Sequence, residues 1–230
     1  MCGRYALYGP VSVSREAKRV ADQMEIDLER DLNQRDPQYN IAPTQLAPVT
    51  ALSEGRYVIK AVRWGLVPSW AKDVKIGAKM INARAETVET KPGFRSAFKK
   101  HRCLVPASGY FEWKGEPGSK QPYFIHAPGE ELMMFAGLWE VWRASDADEW
   151  LRTFTIITGE PGKVSGDIHD RQPVILPPEC WHDWLDGDTS IAQDVLAHAK
   201  EAELTYYPVT KAVGSPRNKG PELVEPITLQ

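Results

Sequence analysis

Short segments rich in β-branched and aromatic residues recur through most of the chain, and this pattern predicts β-strands. Gly, Pro or charged residues separate them. The segments are YVIKAVRWGLV, RCLVPASGYFEW, QPYFIHA, LMMFAGLWEVW, RTFTIITG and LTYYPVT. Because most of them follow one another without an intervening helix, they favour a mostly antiparallel, curved or barrel-like sheet over a doubly wound parallel sheet.

Helical spacing of apolar residues is found in three other segments. REAKRVADQM predicts a helix over residues 14–24 that packs one stripe onto the sheet. PPECWHDWLDG begins with two prolines and ends at Gly187, while SIAQDVLAHAKEAEL offers Ser190 and Gln193 as a capping box. The predicted fold class is therefore α+β, with a few helices flanking the sheet.

Length and charge narrow the class of protein. The chain has 230 residues and no break in composition, so we expect a single domain spanning residues 1–230. A formal net charge of -3 means that only a local basic patch can hold a polyanion. The sequence shows no signal-peptide core and no apolar run near the ~20 residues that cross a bilayer, so we expect a cytoplasmic protein without membrane contact.

The three cysteines, Cys2, Cys103 and Cys180, have no metal-type spacing. Cys103 and Cys180 lie in apolar surroundings and are predicted to be small buried hydrophobic residues in a reducing compartment. We therefore expect no metal site and no cofactor.

Cys2 directly follows the initiator methionine. If Met1 stays, Cys2 is one more thiol on a fraying terminus. If Met1 is removed, as happens when the second residue is small, Cys2 carries an α-amine and a thiol on adjacent carbons. That amine has a reference pKa of ~7.7 to 8.0, so part of it is a free nucleophile near neutral pH. It can form an imine with an aldehyde, and the thiol can then close a thiazolidine ring.

A candidate acid-base group lies in SGYFEWKG. Strand alternation places Tyr110 and Glu112 on one face and the intervening aromatic residue on the other. A carboxylate framed by aromatic side chains is partly desolvated, which raises its pKa toward the range used in general acid-base catalysis. The alternative is a surface Glu112 paired with Lys114 or another cation.

Alternation also groups polar residues in INARAET. In an extended segment Asn82, Arg84 and Glu86 point the same way and can form a shelf for phosphate and sugar oxygens. The alternative is a solvated edge strand with an ion pair between Arg84 and Glu86.

In GDIHDRQPVIL, His169 and Arg171 share one face ahead of an apolar run. His169 can donate to a sugar oxygen or move a proton. The alternative is a structural histidine held by Asp167 or Asp170.

Basic residues are interleaved with aromatic ones around Trp64 and Trp70 and lie again near the end of the chain. Such a pattern can form a groove for single-stranded nucleic acid, in which Arg and Lys meet phosphates and Trp stacks on bases. Taken one by one, these residues are equally consistent with a solvated surface. They are Arg4, Arg63, Lys72, Arg84, Arg171, Lys211, Arg217 and Lys219.

Seven segments together resemble the SOS-response-associated peptidase (SRAP) family. They are MCGRY, YNIAPTQ, WGLVPSW, INARAET, SGYFEWKG, DIHDRQPVIL and VTKAVGSPRNKG, and they span nearly the whole chain. The resemblance implies an SRAP fold and a monomer that senses abasic sites in single-stranded DNA, including single-strand/double-strand junctions. It implies a covalent thiazolidine crosslink through an N-terminal cysteine, which shields the site from strand cleavage in the DNA-damage response. In a bacterium such a protein is nucleoid-associated.

The resemblance also assigns residues to roles. The crosslinking nucleophile falls on Cys2, the site-sensing asparagine on Asn82, the catalytic glutamate on Glu112 and the histidine on His169. The implied mechanism has Glu112 and His169 assist opening of the sugar ring before Cys2 reacts. The DNA-binding set is Arg4, Trp70, Arg84, Arg171, Lys211 and Lys219. The chain departs from some members after Trp70, where it has Ala71 in place of a second Trp or a longer insertion.

Other classes remain open at this point. An N-terminal-nucleophile amidohydrolase or a cysteine peptidase also fits the Met-Cys-Gly start and predicts acylation of the Cys2 thiol. A non-catalytic single-strand binding module predicts DNA binding without a covalent adduct. The family name further implies a peptidase activity that removes Met1 or a short leader in cis, and these residues do not distinguish self-cleavage from a cellular aminopeptidase.

Overall fold

The computed structural model describes residues 2–144, 149–199 and 201–229. The strands are β1 (Tyr5–Leu7), β2 (Gln38–Ile41), β3 (Leu46–Ser53), β4 (Arg56–Trp64), β5 (Asn82–Arg84), β6 (Arg102–Ala107), β7 (Gly109–Lys114), β8 (Gln121–His126), β9 (Met133–Trp142), β10 (Leu151–Gly159), β11 (Gln172–Pro173) and β12 (Thr205–Pro208). The α-helices are α1 (Arg15–Gln23), α2 (Leu28–Asn33), α3 (Arg95–Lys100), α4 (Lys163–Gly166), α5 (Trp181–Asp186) and α6 (Thr189–His198).

The strands form two sheets. One is antiparallel and has the order β12-β8-β7-β1-β2. In the other, β10, β4, β3, β6 and β9 are neighbours in that order, and β9 pairs again with β10, so these five strands close into a barrel. Strand β10 pairs in parallel with β4 and β5, and the other pairings are antiparallel. The expected α+β fold with a mostly antiparallel, barrel-like sheet is confirmed.

The segment RCLVPASGYFEW, predicted as one strand region, connects the two sheets. Its first half is β6, which is buried along its whole length in the barrel, and its second half is β7 in the other sheet. At the crossing, the Ser108 hydroxyl donates to the Tyr8 carbonyl at 3.1 Å and accepts from the Tyr8 N–H at 3.0 Å. A Cβ on Gly109 would overlap the ring of Phe124, so only glycine fits where the chain changes sheets.

The helices form where the spacing of apolar residues predicted them, but the N-cap of α6 differs from the prediction. Helix α1 buries its predicted apolar stripe. The second predicted helix is a 3-10 turn, Pro178–Cys180, followed by α5. The Ser190 and Gln193 capping box is wrong, because Asp188 caps α6 and its side chain accepts from the N–H groups of Ser190 and Ile191. A carboxylate there also suits the positive end of the helix.

The segment that carries Trp70 is closed at its two ends by a contact between Gly65 and Gly77. Gly65 has a φ of 113°, and a Cβ there would lie 2.6 Å from the carbonyl oxygen of Gly77. The two backbones therefore touch, and the Gly65 N–H donates to the Phe154 carbonyl at 2.8 Å. This contact ties the residues before β5 to the barrel strand β10.

None of the helices within the described ranges has the length and apolar character needed to span a membrane. The same ranges contain no group of three or more His, Cys, Asp or Glu side chains placed to hold a metal ion. Cys103 is fully buried, as expected, and Cys180 is half-buried.

Candidate functional site

Cys2 lies just before β1, the strand between β7 and β2 in the smaller sheet. Strand β1 pairs with β7 so that Tyr5 is opposite Tyr110, and the Arg4 carbonyl accepts from the Phe111 N–H at 3.0 Å. The Cys2 side chain is fully buried, with its thiol 3.8 Å from the Arg4 carbonyl oxygen. Burial, and then the charge of Glu112, raise the pKa of the Cys2 thiol, which is therefore neutral at physiological pH.

Glu112 is a buried carboxyl group on β7. Only 3% of the residue is exposed, and burial raises its pKa to about 7, with a smaller contribution from the charge of Asp170. The raised pKa expected from the sequence is thus present, and the alternative of a surface Glu112 is wrong. Near neutral pH, this carboxyl group is present in both protonated and ionised forms and can give or take a proton.

His169 faces Glu112 from the loop after α4. Its Nε2 atom is 3.9 Å from Oε2 of Glu112, and its Nδ1 atom is 2.8 Å from Oδ1 of Asp170. The backbone N–H of Arg171 also points at Nδ1, with an N to N distance of 3.1 Å. Burial lowers the pKa of His169, and the charge of Lys120 lowers it further while Asp170 opposes this. We call Cys2, Glu112 and His169 the Cys2 site.

Asn82 connects to the Cys2 site through buried aromatic residues. Its Nδ2 donates to the Ile81 carbonyl at 3.0 Å, and Nε1 of Trp64 donates to the same oxygen at 2.9 Å. The Trp64 ring packs edge-on against Tyr5, with centroids 5.2 Å apart. Across the described ranges, Asn82 Oδ1 and the Tyr5 hydroxyl are buried without a hydrogen-bond partner. Such atoms are expected where a polar ligand or water binds.

Arg171 is held by a carboxylate of the chain itself. Its NH1 and NH2 donate to Oε1 and Oε2 of Glu86 at 2.6 and 3.0 Å, and NH2 also donates to the Thr158 carbonyl at 2.5 Å. This bidentate pair lowers the pKa of Glu86. The alternative pairing of Arg84 with Glu86 is wrong.

The predicted polar shelf is also shorter than expected. Strand β5 ends at Arg84, and Glu86 lies in the 3-10 turn Ala85–Thr87, so the alternation that would align Asn82, Arg84 and Glu86 stops at Arg84. The Arg84 side chain is exposed to solvent. It remains available to a phosphate group.

Arg4 and Lys219 meet at the buried residue Asn40. NH1 of Arg4 donates to Asn40 Oδ1 at 2.9 Å and to the Val213 carbonyl at 2.8 Å. Nζ of Lys219 donates to the Asn40 carbonyl at 2.7 Å and to Gln45 Oε1 at 2.8 Å. Both cations, predicted to bind DNA, thus bind protein oxygens.

Asn40 also holds the end of the chain. Its Nδ2 donates to the carbonyls of Ser215 and Asn218 at 3.0 and 2.9 Å. The segment GSPRNKG, predicted to run over the surface, is therefore fastened to β2 by a fully buried amide. We call Arg4, Asn40 and Lys219 the Asn40 hub. The sequence pattern predicted no role for Asn40, although Asn40 lies in YNIAPTQ, one of the seven segments that resemble the SRAP family.

Trp70 and Lys211 lie on the outside of the molecule. Trp70 is 60% exposed, and its Nε1 makes a 3.4 Å hydrogen bond to the Pro92 carbonyl. Lys211 is exposed in the 3-10 turn Lys211–Gly214. Of the six predicted DNA-binding residues, Trp70, Arg84, Lys211 and Lys219 are exposed, whereas Arg4 and Arg171 are half-buried. Arg4, Arg171 and Lys219 bind protein oxygens.

A cavity of about 690 Å³ lies elsewhere. Its lining contains the four carboxylates Glu86, Glu89, Glu160 and Glu201 and includes none of the three residues of the Cys2 site. An acidic lining repels a polyanion. This cavity is therefore unsuited to DNA.

Comparison with known proteins places the chain among its relatives. It resembles the abasic site processing protein YoqW of Bacillus subtilis (strain 168), with 40% identity over 230 residues that cover 98% of this chain and 99% of the relative. The abasic site processing protein HMCES of Xenopus tropicalis is 33% identical over 230 residues, covering 86% of this chain and 69% of the relative.

A crystal structure of a protein from Bacteroides thetaiotaomicron superimposes with a TM-score of 0.78 and 27% identity, covering 99% of this chain and all of that one. Residues 1–216 match the family described as SOS response associated peptidase (SRAP). The resemblance expected from seven sequence segments is thereby confirmed, and the chain belongs to the SRAP family.

Proposed function

We propose that this protein senses abasic sites in single-stranded DNA and, once Met1 has been removed, forms a covalent crosslink to them through Cys2. The observation that carries the proposal is the buried Cys2 thiol beside a carboxyl group of pKa about 7, with His169 at 3.9 Å from that carboxyl group. The names of the two relatives, both abasic site processing proteins, support the choice of substrate. Met1 itself lies outside the described residues.

The first step is opening of the sugar ring. An abasic deoxyribose is mostly a closed hemiacetal, so the aldehyde at C1 has to be released. Glu112 in its protonated form donates to the ring oxygen while neutral His169 takes the proton of the C1 hydroxyl group. The C1–O bond of the ring breaks and the aldehyde forms, with no net gain or loss of protons at the site.

The second step joins Cys2 to the sugar. The α-amine adds to C1 and gives one proton to the carbonyl oxygen. Glu112, ionised by the first step, regains a proton from the His169 imidazolium, donates it as the hydroxyl group leaves as water, and takes up the second amine proton as the C=N bond forms. The thiol then adds to the resulting C=N bond, forming a C–S bond, and its proton passes to nitrogen. One C–N bond and one C–S bond form and one water is lost. β-Elimination, which cleaves the DNA strand, needs a C=N or C=O bond at C1 to accept the electron pair. The product has neither bond, so the strand is not cleaved by this route.

The exposed residues are proposed to hold the DNA strand. Arg84 and Lys211 meet phosphates, and Trp70 stacks on a base or wedges beside a single-strand/double-strand junction. The charges of Arg4, Arg171 and Lys219 add positive potential near the DNA strand, while the N–H groups of these side chains remain hydrogen-bonded to protein oxygens. Asn82, whose Oδ1 is buried without a protein partner among the described residues, accepts from a sugar hydroxyl group.

The thiol environment argues against the amidohydrolase alternative. An attack on an amide needs a thiolate, and reactive thiolates are found where the pKa is lowered. Burial and Glu112 raise the pKa of Cys2 instead. Thiazolidine closure needs only a neutral thiol and a nearby base, which is the arrangement present here.

The test is a denaturing gel of protein incubated with a single-stranded oligonucleotide carrying one abasic site. A matched oligonucleotide has a tetrahydrofuran analogue at that position, which lacks the aldehyde. We expect a slow-migrating band for the native protein with the abasic oligonucleotide only, no stable band with Cys2→Ala, and slower formation with Glu112→Gln and His169→Ala. Equal bands with all proteins, or with the analogue, would overturn the proposal.

A further inference from the structure

We propose that residues 68–71 form a turn that presents Trp70 in a fixed orientation before DNA binds, and that Trp142 is the positioning residue that holds this turn. We call residues 68–71 the Trp70 turn. The part of the proposal that concerns DNA rests on the proposed function. The proposal is based on two hydrogen bonds that join the chain to neighbouring barrel strands, one on each side of Trp70.

The Trp70 turn is closed by a backbone hydrogen bond. The Ala71 N–H donates to the Pro68 carbonyl at 2.9 Å, so Trp70 is the third residue of a four-residue turn. An exposed loop with few buried contacts opens locally at little cost in free energy. Contacts with the rest of the molecule are therefore needed for Trp70 to keep one orientation.

These contacts come from β9 and β10, which pair with each other in the barrel. Before the turn, the Val67 N–H donates to Oγ1 of Thr153 on β10 at 2.9 Å. After Trp70, Nε1 of Trp142 on β9 donates to the Ala71 carbonyl at 2.7 Å. Val67 and Thr153 are fully buried and Trp142 is 8% exposed, so water competes little for either hydrogen bond. The Trp70 turn is thus fixed to the barrel at both ends.

The Trp70 side chain is also held by a second loop. Its Nε1 atom donates to the Pro92 carbonyl at 3.4 Å, and the residue is still 60% exposed. Lys72 and Lys75, which follow Trp70 in the chain, are exposed as well. This segment presents an aromatic ring and two positive charges to solvent, and these groups bind a base and its neighbouring phosphates in a single strand.

A fixed Trp70 binds a base more tightly than a mobile one. Ordering a side chain or a loop upon binding lowers the affinity, by about two- to tenfold for each side chain that becomes immobile. A turn that the barrel already holds avoids this loss. Trp142 therefore affects DNA binding through Trp70 and, because Trp142 is itself buried, without a contact to DNA of its own.

The first measurement uses the protein alone, labelled with 5-fluorotryptophan. ¹⁹F NMR relaxation reports how far each indole ring moves independently of the protein, and the Trp70 resonance is the one missing from Trp70→Phe. We expect Trp70 to relax as the buried tryptophans do in the native protein and to become more mobile in Trp142→Phe, which keeps an aromatic ring and loses the N–H donor. Unchanged mobility of Trp70 in Trp142→Phe would overturn the proposal.

Two further variants complete this measurement. Trp181→Phe is the matched control, because Nε1 of Trp181 donates to the Leu176 carbonyl at 2.9 Å in another part of the fold. It should leave the mobility of Trp70 unchanged. Thr153→Val removes the acceptor on the other side of the turn and should make Trp70 more mobile, so the proposal remains testable if Trp142→Phe fails to fold.

The second measurement is the affinity for a labelled, undamaged single strand, determined by fluorescence anisotropy. Trp142→Phe should weaken binding about three- to tenfold when Trp70 is present and should cause no further loss in Trp70→Ala. Trp181→Phe should match the native affinity. An equal loss with and without Trp70 would show that Trp142 does not act through Trp70. If the native protein binds no single strand, the proposed function fails, whereas the relaxation measurement still decides whether Trp142 holds the turn.

Discussion

The Cys2 site and the Asn40 hub each contain a buried polar residue, Glu112 and Asn40, and the polar atoms around these two residues are used in opposite ways. In the hub, Asn40 accepts from Arg4 and donates to two carbonyls of the segment it fastens. Around the Cys2 site, the Tyr5 hydroxyl and Asn82 Oδ1 have no hydrogen-bond partner within the described residues, and Glu112 has a pKa of about 7.

We propose that the difference separates residues that maintain the fold from residues placed for chemistry. A buried polar group that finds protein partners contributes to stability, and removing one member leaves the others unsatisfied. Burial destabilises the ionised form of a carboxyl group and so raises its pKa. Carboxyl groups with a raised pKa are concentrated at sites where a protein moves protons. Changes in the hub should therefore alter unfolding, and changes in the Cys2 site should alter reaction rates.

The largest expected effect is that of Glu112→Gln on crosslinking. Glutamine keeps the shape of the side chain and cannot transfer a proton, so the rate should fall by about 10² to 10⁴, the usual contribution of a general acid or base. Time courses on denaturing gels measure this. Glu116→Gln, in the exposed turn after β7, is the control and should react at the native rate. Equal rates for both variants would remove Glu112 from the mechanism.

Asn40→Ala should have the next largest effect, on stability. The substitution leaves Arg4 and the carbonyls of Ser215 and Asn218 without a buried partner, and each unsatisfied group costs about 1 to 3 kcal/mol. We expect the free energy of unfolding in urea to fall by about 3 kcal/mol. Lys211→Ala, at an exposed residue, should change it by less than about 0.5 kcal/mol. A change that small for Asn40→Ala would contradict the role of the hub.

The raised pKa of Glu112 predicts a pH dependence of stability. Because the folded protein holds this proton up to about pH 7, against an ordinary value of 4.5, the stabilising contribution is complete below pH 4.5 and is lost as the pH rises through 7. The total is about 3 kcal/mol. The free energy of unfolding of the native protein minus that of Glu112→Gln should fall over this interval. A difference that is constant or increases with pH would be inconsistent with a buried, protonated carboxyl group.

Trp70→Ala should give the smallest effect, confined to DNA binding. Stacking of one base on an aromatic side chain contributes about 1 to 3 kcal/mol, so the affinity for an undamaged single strand should fall about tenfold, with little change in unfolding. Trp150 is the matched control, since it is 57% exposed and stacks under Arg143 at 4.7 Å. Fluorescence anisotropy with a labelled oligonucleotide compares the two alanine variants. Equal losses would indicate no specific role for Trp70.

The sequence predicted features that depend on neighbours along the chain. The desolvation of Glu112 follows from the aromatic residues flanking it on β7, and the buried stripe of α1 follows from helical spacing. The α6 cap was predicted incorrectly because DGDTS contains several cap-forming residues close together, and Asp188 lies just ahead of Ser190. The local sequence pattern alone does not show which of these residues caps the helix.

Contacts between distant segments were not predictable from spacing. Arg171 pairs with Glu86 across 85 positions, where local alternation offered Arg84 instead. Asn40 binds Ser215 and Asn218, more than 170 positions away. These contacts depend on residues of complementary charge and hydrogen-bonding type that are far apart in the chain. A single sequence does not show which of the many possible distant pairs form. The pairing of Glu112 with His169 was expected only from the family resemblance.

Intact mass measurement of the purified crosslink shows whether the Cys2 amine and thiol both bond to the sugar carbon. We expect the mass of the chain without Met1 plus that of the oligonucleotide minus one water, and we expect fragmentation to place the DNA remnant on Cys2. An adduct of the chain that still carries Met1, or a remnant on a lysine, would contradict this expectation.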